Sequence, residues 1–370
     1  MTVLIKVGIF FLNCIYRLFW LFPRRLKVVF ISREADTPSV DIRLLMERIE
    51  EQDLGVEVRA LCKTIGPGLK SKISYAFHML SQMYHMATAR VVVLDTYCIA
   101  ASVLRHRKGL TIIQMWHAVG CLKKFSYSIL DKEEGRSGKL ARAMKMHHNY
   151  VQVLVSGEIC KDYLAEAYNC SKDIMRVIPL PRIDIVKKEE EREKSKARIQ
   201  EKYPQIGKKK TILYVPTFRK HGDQTEAICR LIEAVDLQKY DFVLKYHPIV
   251  QSERPISGII VDQDFSSLDW MNVSDYVITD YSAACFEAAA AGKPLFFYTY
   301  DWEYYKDERN FYIDYEAEMP GVISGDPKEI VQAIETDNYD LERVERFAKI
   351  YVSASSDCTG RAAQYILAFV

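Results

Sequence analysis

The sequence predicts an α/β protein made of two doubly wound, Rossmann-like domains that follow a membrane-associated helix. Short apolar runs alternate with helical segments, which is typical of parallel sheets covered on both faces. A strongly charged segment of mixed sign, 186–210, interrupts this alternation, which then starts again. The length of 370 residues suits two domains.

The composition is that of a globular protein from a reducing compartment. Apolar residues make up 49% and charged residues 27%, and the net charge of +2 is too small to indicate nucleic-acid binding. The nine cysteines are scattered and include no CxxC pair, which argues against a disulfide framework and a zinc site. Since no carboxylates have the spacing of metal ligands, we expect neither a metal nor a cofactor.

The N-terminus carries the apolar segment VGIFFLNCIYRLFWLF, residues 7–22. As a helix it would span about 24 Å, less than the roughly 30 Å hydrocarbon core of a bilayer. Lys6, Asn13, Arg17 and Arg24 fall on one helical stripe, and no small-residue cleavage site follows. We therefore predict that residues 1–25 form an amphipathic helix in the interface of an anionic membrane, at its cytoplasmic face. A helix buried in its own domain is the alternative.

Two series of strands define the predicted domains. The first domain, 26–185, has predicted strands at 26–32, 56–62, 90–95, 111–116 and 150–156. The second domain, 186–345, has predicted strands at 210–219, 240–248, 258–263, 275–282 and 293–301. Residues 346–370 are predicted to form a closing helical segment. Because ligands of such sheets bind beyond the carboxyl ends of the strands, polar clusters there are the candidate site.

Two of these clusters follow strands of the second domain. In PTFR, Thr217 and Arg219 leave a strand, and a guanidinium suits the bidentate binding of phosphate oxygens. In KYHP, Pro248 cannot continue the strand, so His247 is expected at its carboxyl end, near Lys245. A strand-end histidine can also be purely structural, and an arginine there can simply lie on the surface.

A third cluster is TDYSAACFEAAAAGKP. Ser282 is predicted as the N-cap of a helix starting at Ala283, where amides and the helix dipole favour a pyrophosphate. Glu287 lies five residues further on, where its carboxylate could bind ribose hydroxyls, and Asp280 is predicted to orient its neighbours. A serine cap is ordinary by itself. Its occurrence with the other clusters at successive strand ends favours a phosphate-binding site.

The motifs YVPTFR, LKYHP, ITDYSAACFEAAAAGKPLFFYTYD and PLPRIDI resemble those of the CDP-glycerol glycerophosphotransferase family of Gram-positive cell-wall synthesis. The block around QMWHAVGCLKKF (114–125) is similar to members that prime wall teichoic acid, whereas elongating members more often read WHGTPLK. The resemblance covers 26–365. Leu180 and the Ala-Ala-Cys-Phe-Glu run after Ser282 depart from the usual pattern, which bears on the identity of the polyol.

The resemblance implies a GT-B-like fold, with two Rossmann-like domains facing a cleft. It implies transfer of glycerol phosphate from CDP-glycerol to a hydroxyl of an undecaprenyl-diphosphate-linked disaccharide, with release of CMP, by a peripheral membrane protein. The implied catalytic residues are His117, as general base, and His247. The implied donor-binding residues are Thr217, Arg219, Lys245, Asp280, Ser282, Ala283 and Glu287, and the implied acceptor-binding residues are Trp116, Lys123, Lys124 and Arg182.

Several alternatives stay open at the level of sequence. Within the family, the donor could be CDP-ribitol, or the reaction could be polymer elongation. A GT-B glycosyltransferase using a nucleotide sugar would share the strand-end phosphate site. A non-enzymatic membrane scaffold with a relic nucleotide fold is the remaining class, and the presence of His117, His247, Arg219 and Ser282 argues against it. The sequence does not decide whether the chain forms a homo-oligomer.

Overall fold

The structure is a computed structural model that describes residues 2–132, 135–219, 224–247, 256–308, 310–353 and 356–370. The chain divides into two compact units. The first comprises Met1–Ala118, Lys124–Arg182 and Asp357–Val370, and the second comprises Val119–Lys123 and Ile183–Ser356. The division therefore falls at 182/183 instead of the predicted 185/186, and of the predicted closing segment 346–370 only residues 357–370 belong to the first unit.

The described part of the first unit contains a six-stranded parallel sheet in the order β2-β1-β3-β4-β5-β6. Its strands are β1 (Lys27–Ser32), β2 (Glu57–Cys62), β3 (Val91–Leu94), β4 (Thr111–Gln114), β5 (Gln152–Val155) and β6 (Met175–Val177). The helices that precede β6 in this unit are α1 (Thr2–Leu18), α2 (Val40–Glu50), α3 (Leu69–Thr88), α4 (Ile99–Val103), α5 (Gly138–Ala143) and α6 (Cys160–Tyr168). Every residue of β1 and β3 is buried, which explains the apolar runs VVFI and VVVL that they contain.

The described part of the second unit contains another six-stranded parallel sheet, in the order β12-β11-β10-β7-β8-β9. Its strands are β7 (Lys210–Val215), β8 (Tyr240–Leu244), β9 (Ile260–Val261), β10 (Tyr276–Thr279), β11 (Leu295–Tyr298) and β12 (Val322–Ser324). Its helices are α7 (Ile183–Lys187), α8 (Glu189–Lys202), α9 (Thr225–Ala234), α10 (Ser267–Val273), α11 (Ala284–Ala290), α12 (Trp302–Glu308), α13 (Tyr315–Glu318), α14 (Pro327–Glu335) and α15 (Leu341–Tyr351).

The two sheets confirm the predicted α/β class with two doubly wound domains. In the first, the strand order reverses between β1 and β3, and in the second it reverses between β7 and β10. Such a reversal opens a crevice at the carboxyl ends of the two neighbouring strands, where ligands of open α/β sheets bind. The predicted polar clusters after β7 and β10 lie at the reversal point of the second sheet.

Three local features were not predicted from the sequence. The strands β6 and β12 have three residues each, too few for a recognisable pattern. The last helix, α16 (Cys358–Leu367), packs against α2 in the first unit instead of closing the second. An ion pair between Arg48 of α2 and Asp357, the N-cap of α16, accompanies this packing, with a nitrogen–oxygen distance of 3.2 Å.

Residues 119–123, in the middle of QMWHAVGCLKKF, belong to the second unit. Within that unit the Leu122 carbonyl accepts a hydrogen bond from the Tyr312 amide, at 3.0 Å. Gly120 has a φ of +66°, and a Cβ there would lie 2.5 Å from the Phe286 ring. Both the left-handed backbone and the close ring therefore require the glycine.

The N-terminal helix is present as predicted, and Asn13 of its polar stripe contacts its own unit. The Asn13 amide donates to the Val103 carbonyl and its oxygen accepts from the Arg105 amide, at 3.4 and 2.7 Å. The buried Tyr16 hydroxyl lies 3.0 Å from His106 Nδ1. By length and composition the helical segment Val3–Leu21 could also cross a membrane.

Candidate functional site

His117 follows β4 through a backbone turn that a buried glutamine holds in place. Trp116 has a φ of +60°, a left-handed conformation that costs a residue with a side chain about 1–2 kcal/mol. Its amide donates to Gln114 Oε1 at 2.8 Å. The Gln114 amide group in turn donates to the Thr96 carbonyl and the Tyr150 hydroxyl, at 3.2 and 3.0 Å. This network fixes the direction in which the chain leaves the strand.

The hydrogen bond of His117 defines its tautomer. Its Nδ1 lies 3.1 Å from the backbone carbonyl of Asp95, and because a carbonyl can only accept, Nδ1 carries the proton. The Nε2 lone pair is then the proton acceptor. Burial lowers the pKa of His117 below its ordinary value, and Glu34, whose Oε1 is 3.7 Å from Nδ1, opposes that shift in part. A neutral imidazole at pH 7 with a defined acceptor nitrogen suits general-base chemistry.

Asp95, at the end of β3, was not predicted from the sequence. It is 1% exposed, and neither carboxylate oxygen has a hydrogen-bond partner among the described residues. Burial raises the pKa of Asp95 to about 7, and the neighbouring Ser32 and Thr96 hydroxyls offset only part of that rise, without hydrogen bonds of normal geometry. The Asp95 backbone, and not its carboxylate, orients His117. The motif RVVVLD contains an acid after a strand, which is the signal that could have identified it.

At the reversal point of the second sheet, Thr217, Arg219 and Asp280 form one network. Thr217 donates from its amide and its hydroxyl to Asp280 Oδ1, at 2.9 and 2.6 Å. Arg219 donates to Asp280 Oδ2 at 2.9 Å and to Asp301 Oδ2 at 2.7 Å. Burial opposes the charge of Arg219, but the two carboxylates outweigh it and raise the arginine's pKa above its ordinary value. Asp301 was not predicted, although it is an acid after a strand, as Asp95 is.

The guanidinium of Arg219 is buried and already has several hydrogen-bond partners within the protein. Its side chain is 7% exposed, and it also donates to the Thr217 carbonyl at 2.9 Å. The rings of Tyr281, Tyr300 and Tyr305 lie 4.9–5.4 Å from its Cζ. Its described contacts are therefore those of a residue that positions the turn after β7, and a direct contact with the donor stays a prediction. Asp280 lies in the turn after β10 and not on a helix, and its contacts fit the predicted orienting role.

The histidine and the lysine of KYHP have different surroundings. His247 is exposed, and its ring centroid lies 6.2 Å from that of Phe218, so the turns after β7 and β8 meet. Lys245 is buried instead, and its ammonium donates to the Asp262 carbonyl at 3.0 Å. Burial lowers the pKa of Lys245, and Asp262 opposes the shift. Pro248 lies outside the described residues.

The helix after Ser282 begins one residue later than predicted. Ala283 is the N-cap of α11, and the Ser282 hydroxyl accepts from the Ala284 amide at 3.3 Å. Ala283 has helical φ and ψ and no capping side chain, so the Ser282 hydroxyl supplies the predicted capping hydrogen bond, one residue before the assigned N-cap. Glu287 is 7% exposed in the first turn of this seven-residue helix. Pyrophosphate binding by Ser282 and Ala283, and ribose binding by Glu287, stay predictions.

The four predicted acceptor-binding residues are divided between the two units. The Trp116 ring packs against the His117 and Phe125 rings, with centroid distances of 4.0 and 4.4 Å. Lys123 belongs to the second unit, where its ammonium lies 5.1 Å from the centroid of Tyr305, whereas Lys124 belongs to the first.

Arg182 forms an ion pair with the buried Asp41. Its Nε lies 2.8 Å from Asp41 Oδ2 and its amide lies 2.8 Å from Oδ1, so this arginine ties the end of the first unit to α2. Acceptor binding by these four residues stays a prediction. Within the described residues, no group of three or more His, Cys, Asp or Glu side chains could hold a metal ion.

Comparison with solved structures supports the fold. The wall teichoic acid polymerase TagF superposes with a TM-score of 0.75 at 18% identity, covering 96% of this chain and 92% of the compared one. A UDP-GlcNAc 2-epimerase from Neisseria meningitidis superposes with a TM-score of 0.59 at 16% identity, covering 92% and 98%. At these identities the likeness concerns the fold alone.

Comparison of sequences identifies the family. A teichoic acid ribitol-phosphate primase of Bacillus spizizenii is 32% identical over 356 residues, which cover 93% of this chain and 91% of that protein. A teichoic acid glycerol-phosphate primase of Bacillus subtilis is 26% identical, with coverage of 100% and 98%. The family model described as CDP-Glycerol:Poly(glycerophosphate) glycerophosphotransferase matches residues 14–370. The family predicted from the motifs is therefore confirmed: the chain belongs to the CDP-glycerol:poly(glycerophosphate) glycerophosphotransferase family and is an enzyme of teichoic acid synthesis.

Proposed function

We propose that this enzyme transfers a polyol phosphate from a CDP-polyol to a hydroxyl of a lipid-linked teichoic acid acceptor. The hydroxyl oxygen bonds to the β-phosphorus of the donor while the bond from that phosphorus to the bridging oxygen breaks. CMP leaves with the electron pair of that bond, and the hydroxyl proton passes to Nε2 of His117. The observation that carries this proposal is the bond from His117 Nδ1 to the Asp95 carbonyl, which leaves Nε2 as the acceptor.

The donor is proposed to bind at the reversal point of the second sheet. His247 and the exposed Phe218 lie at the ends of β8 and β7, and Ser282 follows β10. Asp280 and Arg219 hold these turns in place through buried hydrogen bonds. We infer that His247 and the Ser282 hydroxyl meet the pyrophosphate, since both carry hydrogen-bonding groups at the position where such sheets bind nucleotides. Glu287 is proposed to bind the ribose.

The polyol is a choice between glycerol and ribitol. The family model names CDP-glycerol, and glycerol-phosphate primases of Bacillus are 26–28% identical to this chain. Ribitol-phosphate transfer is favoured by one observation, which is the higher identity of 32% to a ribitol-phosphate primase. We therefore expect transfer from one of the two CDP-polyols, with CDP-ribitol giving the higher kcat/KM.

We propose that the enzyme works at the cytoplasmic face of an anionic membrane, as a peripheral protein. Because Asn13 and Tyr16 attach α1 to its own unit, this helix is suited to lie along the surface. Its exposed residues include large apolar ones, for example Phe10 at 64% and Leu18 at 62%. Burying these side chains in lipid would remove their apolar surface from water, which lowers the free energy.

Two further features of the first unit support membrane association. A groove of about 350 Å³ beside α1 is lined by four cationic side chains, namely Lys6, Arg17, Arg105 and Lys145, and by no acidic one. Each cationic side chain close to anionic headgroups contributes about 1 kcal/mol to the free energy of membrane binding. The helix α3 also exposes a stripe of apolar residues, consisting of Leu69, Ile73 and Phe77 at helical spacing.

The test is a product assay with purified full-length enzyme, lipid-linked acceptors in anionic vesicles, and each of CDP-glycerol, CDP-ribitol and UDP-N-acetylglucosamine as donor. We expect CMP and a polyol phosphate adduct of the acceptor with at least one CDP-polyol. Failure of both CDP-polyols, or release of UDP with sugar transfer, would overturn the proposal and favour the glycosyltransferase alternative. Calorimetric binding of the CDP-polyols separates a catalytically weak preparation from a scaffold that binds no donor.

A further inference from the structure

The proposed base, His117, lies where the segments that follow three strands of the first sheet meet. His117 follows β4, Asp95 directly follows β3, and Glu34 follows β1. The Nδ1 atom of the imidazole lies 3.1 Å from the Asp95 carbonyl oxygen and 3.7 Å from Glu34 Oε1. The proton-bearing nitrogen of the ring therefore has a carboxylate as well as a carbonyl nearby, and Glu34 was not among the predicted site residues.

Hydrogen bonds to two buried hydroxyls fix the main chain at Glu34. The Glu34 amide donates to the Ser32 hydroxyl, and the preceding Arg33 amide donates to the Thr96 hydroxyl, both at 3.2 Å. Ser32 is the last residue of β1, and Thr96 lies two residues after β3. The backbone from which the carboxylate extends is therefore attached to the ends of the two strands between which the order of the sheet reverses.

Within the described part of the chain, the Glu34 carboxylate lies within ion-pair distance of His117 and of no arginine or lysine. The neighbouring Arg33 directs its guanidinium to Tyr97 instead, with its Cζ 5.5 Å from the ring centroid, and Arg136 approaches the same ring at 5.9 Å. The Glu34 side chain is half-exposed, so solvent screens its charge only in part. The imidazole is thus the group on which this carboxylate acts.

The proposed proton transfer changes the charge of the pair formed by Glu34 and His117. Before the transfer the imidazole is neutral, and its attraction to the carboxylate is small. When Nε2 accepts the hydroxyl proton, the ring becomes an imidazolium, and a carboxylate 3.7 Å from Nδ1 stabilises that cation. Because the attraction grows as the proton moves, it stabilises the transition state more than the ground state.

Glu34 is the main group that favours the protonated form of His117. Burial lowers the pKa of this histidine most, and Glu34 has the largest opposing effect, ahead of the Asp95 carbonyl. Arg182 lowers and Asp41 raises the same pKa, and these two residues are bonded to each other. The cavity that the imidazole borders also has ionisable side chains that keep one protonation state near neutral pH, namely Arg33, Arg136, Tyr97 and His147.

We propose that Glu34 is a positioning residue of the reaction, which stabilises the imidazolium form of His117 while the acceptor hydroxyl loses its proton. This inference rests on the proposed function and deepens it. Glu34 acts through Nδ1, touches no substrate and accepts no proton itself. The Asp95 carbonyl sets the tautomer of the base, and the Glu34 carboxylate supplies the charge that makes it a stronger base.

The experiment compares full-length wild type with Glu34→Gln, which keeps the size and removes the charge, and with Glu34→Asp, which keeps the charge on a shorter side chain. Glu51→Gln is the matched control, because Glu51 is an exposed glutamate of the same unit that pairs with Arg48. Steady-state kinetics over pH use the CDP-polyol and the acceptor that the enzyme accepts. NMR of the ¹⁵N-labelled imidazole, assigned by its absence in His117→Ala, measures the histidine pKa directly. This measurement is needed because burial raises the pKa of the Asp95 carboxyl to about 7, in the same range.

In Glu34→Gln we expect the pKa of His117 to fall by about one unit, the lower end for an opposite charge at this distance because the carboxylate is half-exposed. At neutral pH kcat should fall roughly 3- to 10-fold, since one unit of base strength represents at most tenfold, with both KM values nearly unchanged. The acidic limb of the profile should move to lower pH, because the weaker base stays neutral further down. Glu34→Asp should give intermediate values, and Glu51→Gln should match the wild type.

An unchanged pKa of His117 in Glu34→Gln overturns this inference and leaves the proposed function standing. A lowered pKa with wild-type kcat at every pH overturns it as well, because the carboxylate then has no effect on the transition state. A loss of kcat that is equal at every pH and is not reduced in Glu34→Asp indicates a purely structural role and also contradicts it. Transfer from neither CDP-polyol overturns the proposed function and this inference together.

Discussion

Arg219→Ala tests whether the arginine after β7 supports the site or binds the donor directly. The substitution leaves Asp280, whose side chain is fully buried, without its cation, and also removes the bond to Asp301. Removing one partner of a buried ion pair costs roughly 3–5 kcal/mol, because the remaining charge stays desolvated. In a unit of this size each kcal/mol lowers the melting temperature by about 2–4 °C, so we expect a decrease of roughly 6–20 °C.

Urea and thermal unfolding of the full-length protein, followed by circular dichroism, measure this loss, and calorimetry measures CDP-polyol affinity. Arg346→Ala is the control, since Arg346 is an exposed arginine of the same unit paired with exposed carboxylates, and it should cost less than about 1 kcal/mol. The double variant Arg219→Ala/Asp280→Asn should recover part of the loss, because it removes the stranded charge. A stability loss below about 1 kcal/mol together with a tenfold weaker donor affinity would refute this reasoning and make Arg219 a direct donor contact.

Other substitutions test the base, its support and the membrane surface. His117→Ala should lower turnover by roughly 10²–10⁴ with nearly normal donor binding, and a folded variant that keeps more than a tenth of wild-type turnover contradicts the assignment. Because burial lowers the pKa of His117, and the base acts in its neutral form, wild-type kcat/KM should fall with decreasing pH along a limb below about 6.5 that the variant lacks. Gln114→Leu removes the acceptor of the Trp116 amide and should lower kcat more than it changes donor affinity, which steady-state kinetics and calorimetry separate. Deletion of residues 1–24, or Ile73→Ser with Phe77→Ser, should weaken cosedimentation with anionic vesicles, whereas Leu54→Ser, at another exposed leucine of the same unit, should not; undiminished binding of the truncated protein would exclude the interfacial helix.

Both sheets and the places of their polar clusters could be predicted because parallel strands are buried on both faces. Runs such as VVVL and TIIQ must then be apolar throughout, and the chain must leave them at one edge, so Thr217, His247, Ser282 and His117 were assigned to strand ends without coordinates. The family was also recognisable, since motifs such as YVPTFR and LKYHP recur as short continuous strings.

The tertiary structure decided which partner each of these side chains has. Arg219 and Lys245 were predicted as phosphate ligands from the sequence, and in the structure they form ion pairs with Asp301 and Asp262, which lie 82 and 17 residues further along the chain. The pairing of Arg33 with Arg136 around Tyr97 likewise joins segments about a hundred residues apart. Local propensity acts over a few residues, whereas burial and charge pairing depend on which strand lies beside which, and strand order is set by packing of the whole sheet. The sequence by itself therefore determined the fold and the candidate residues, whereas the partners of these side chains came from the packed structure.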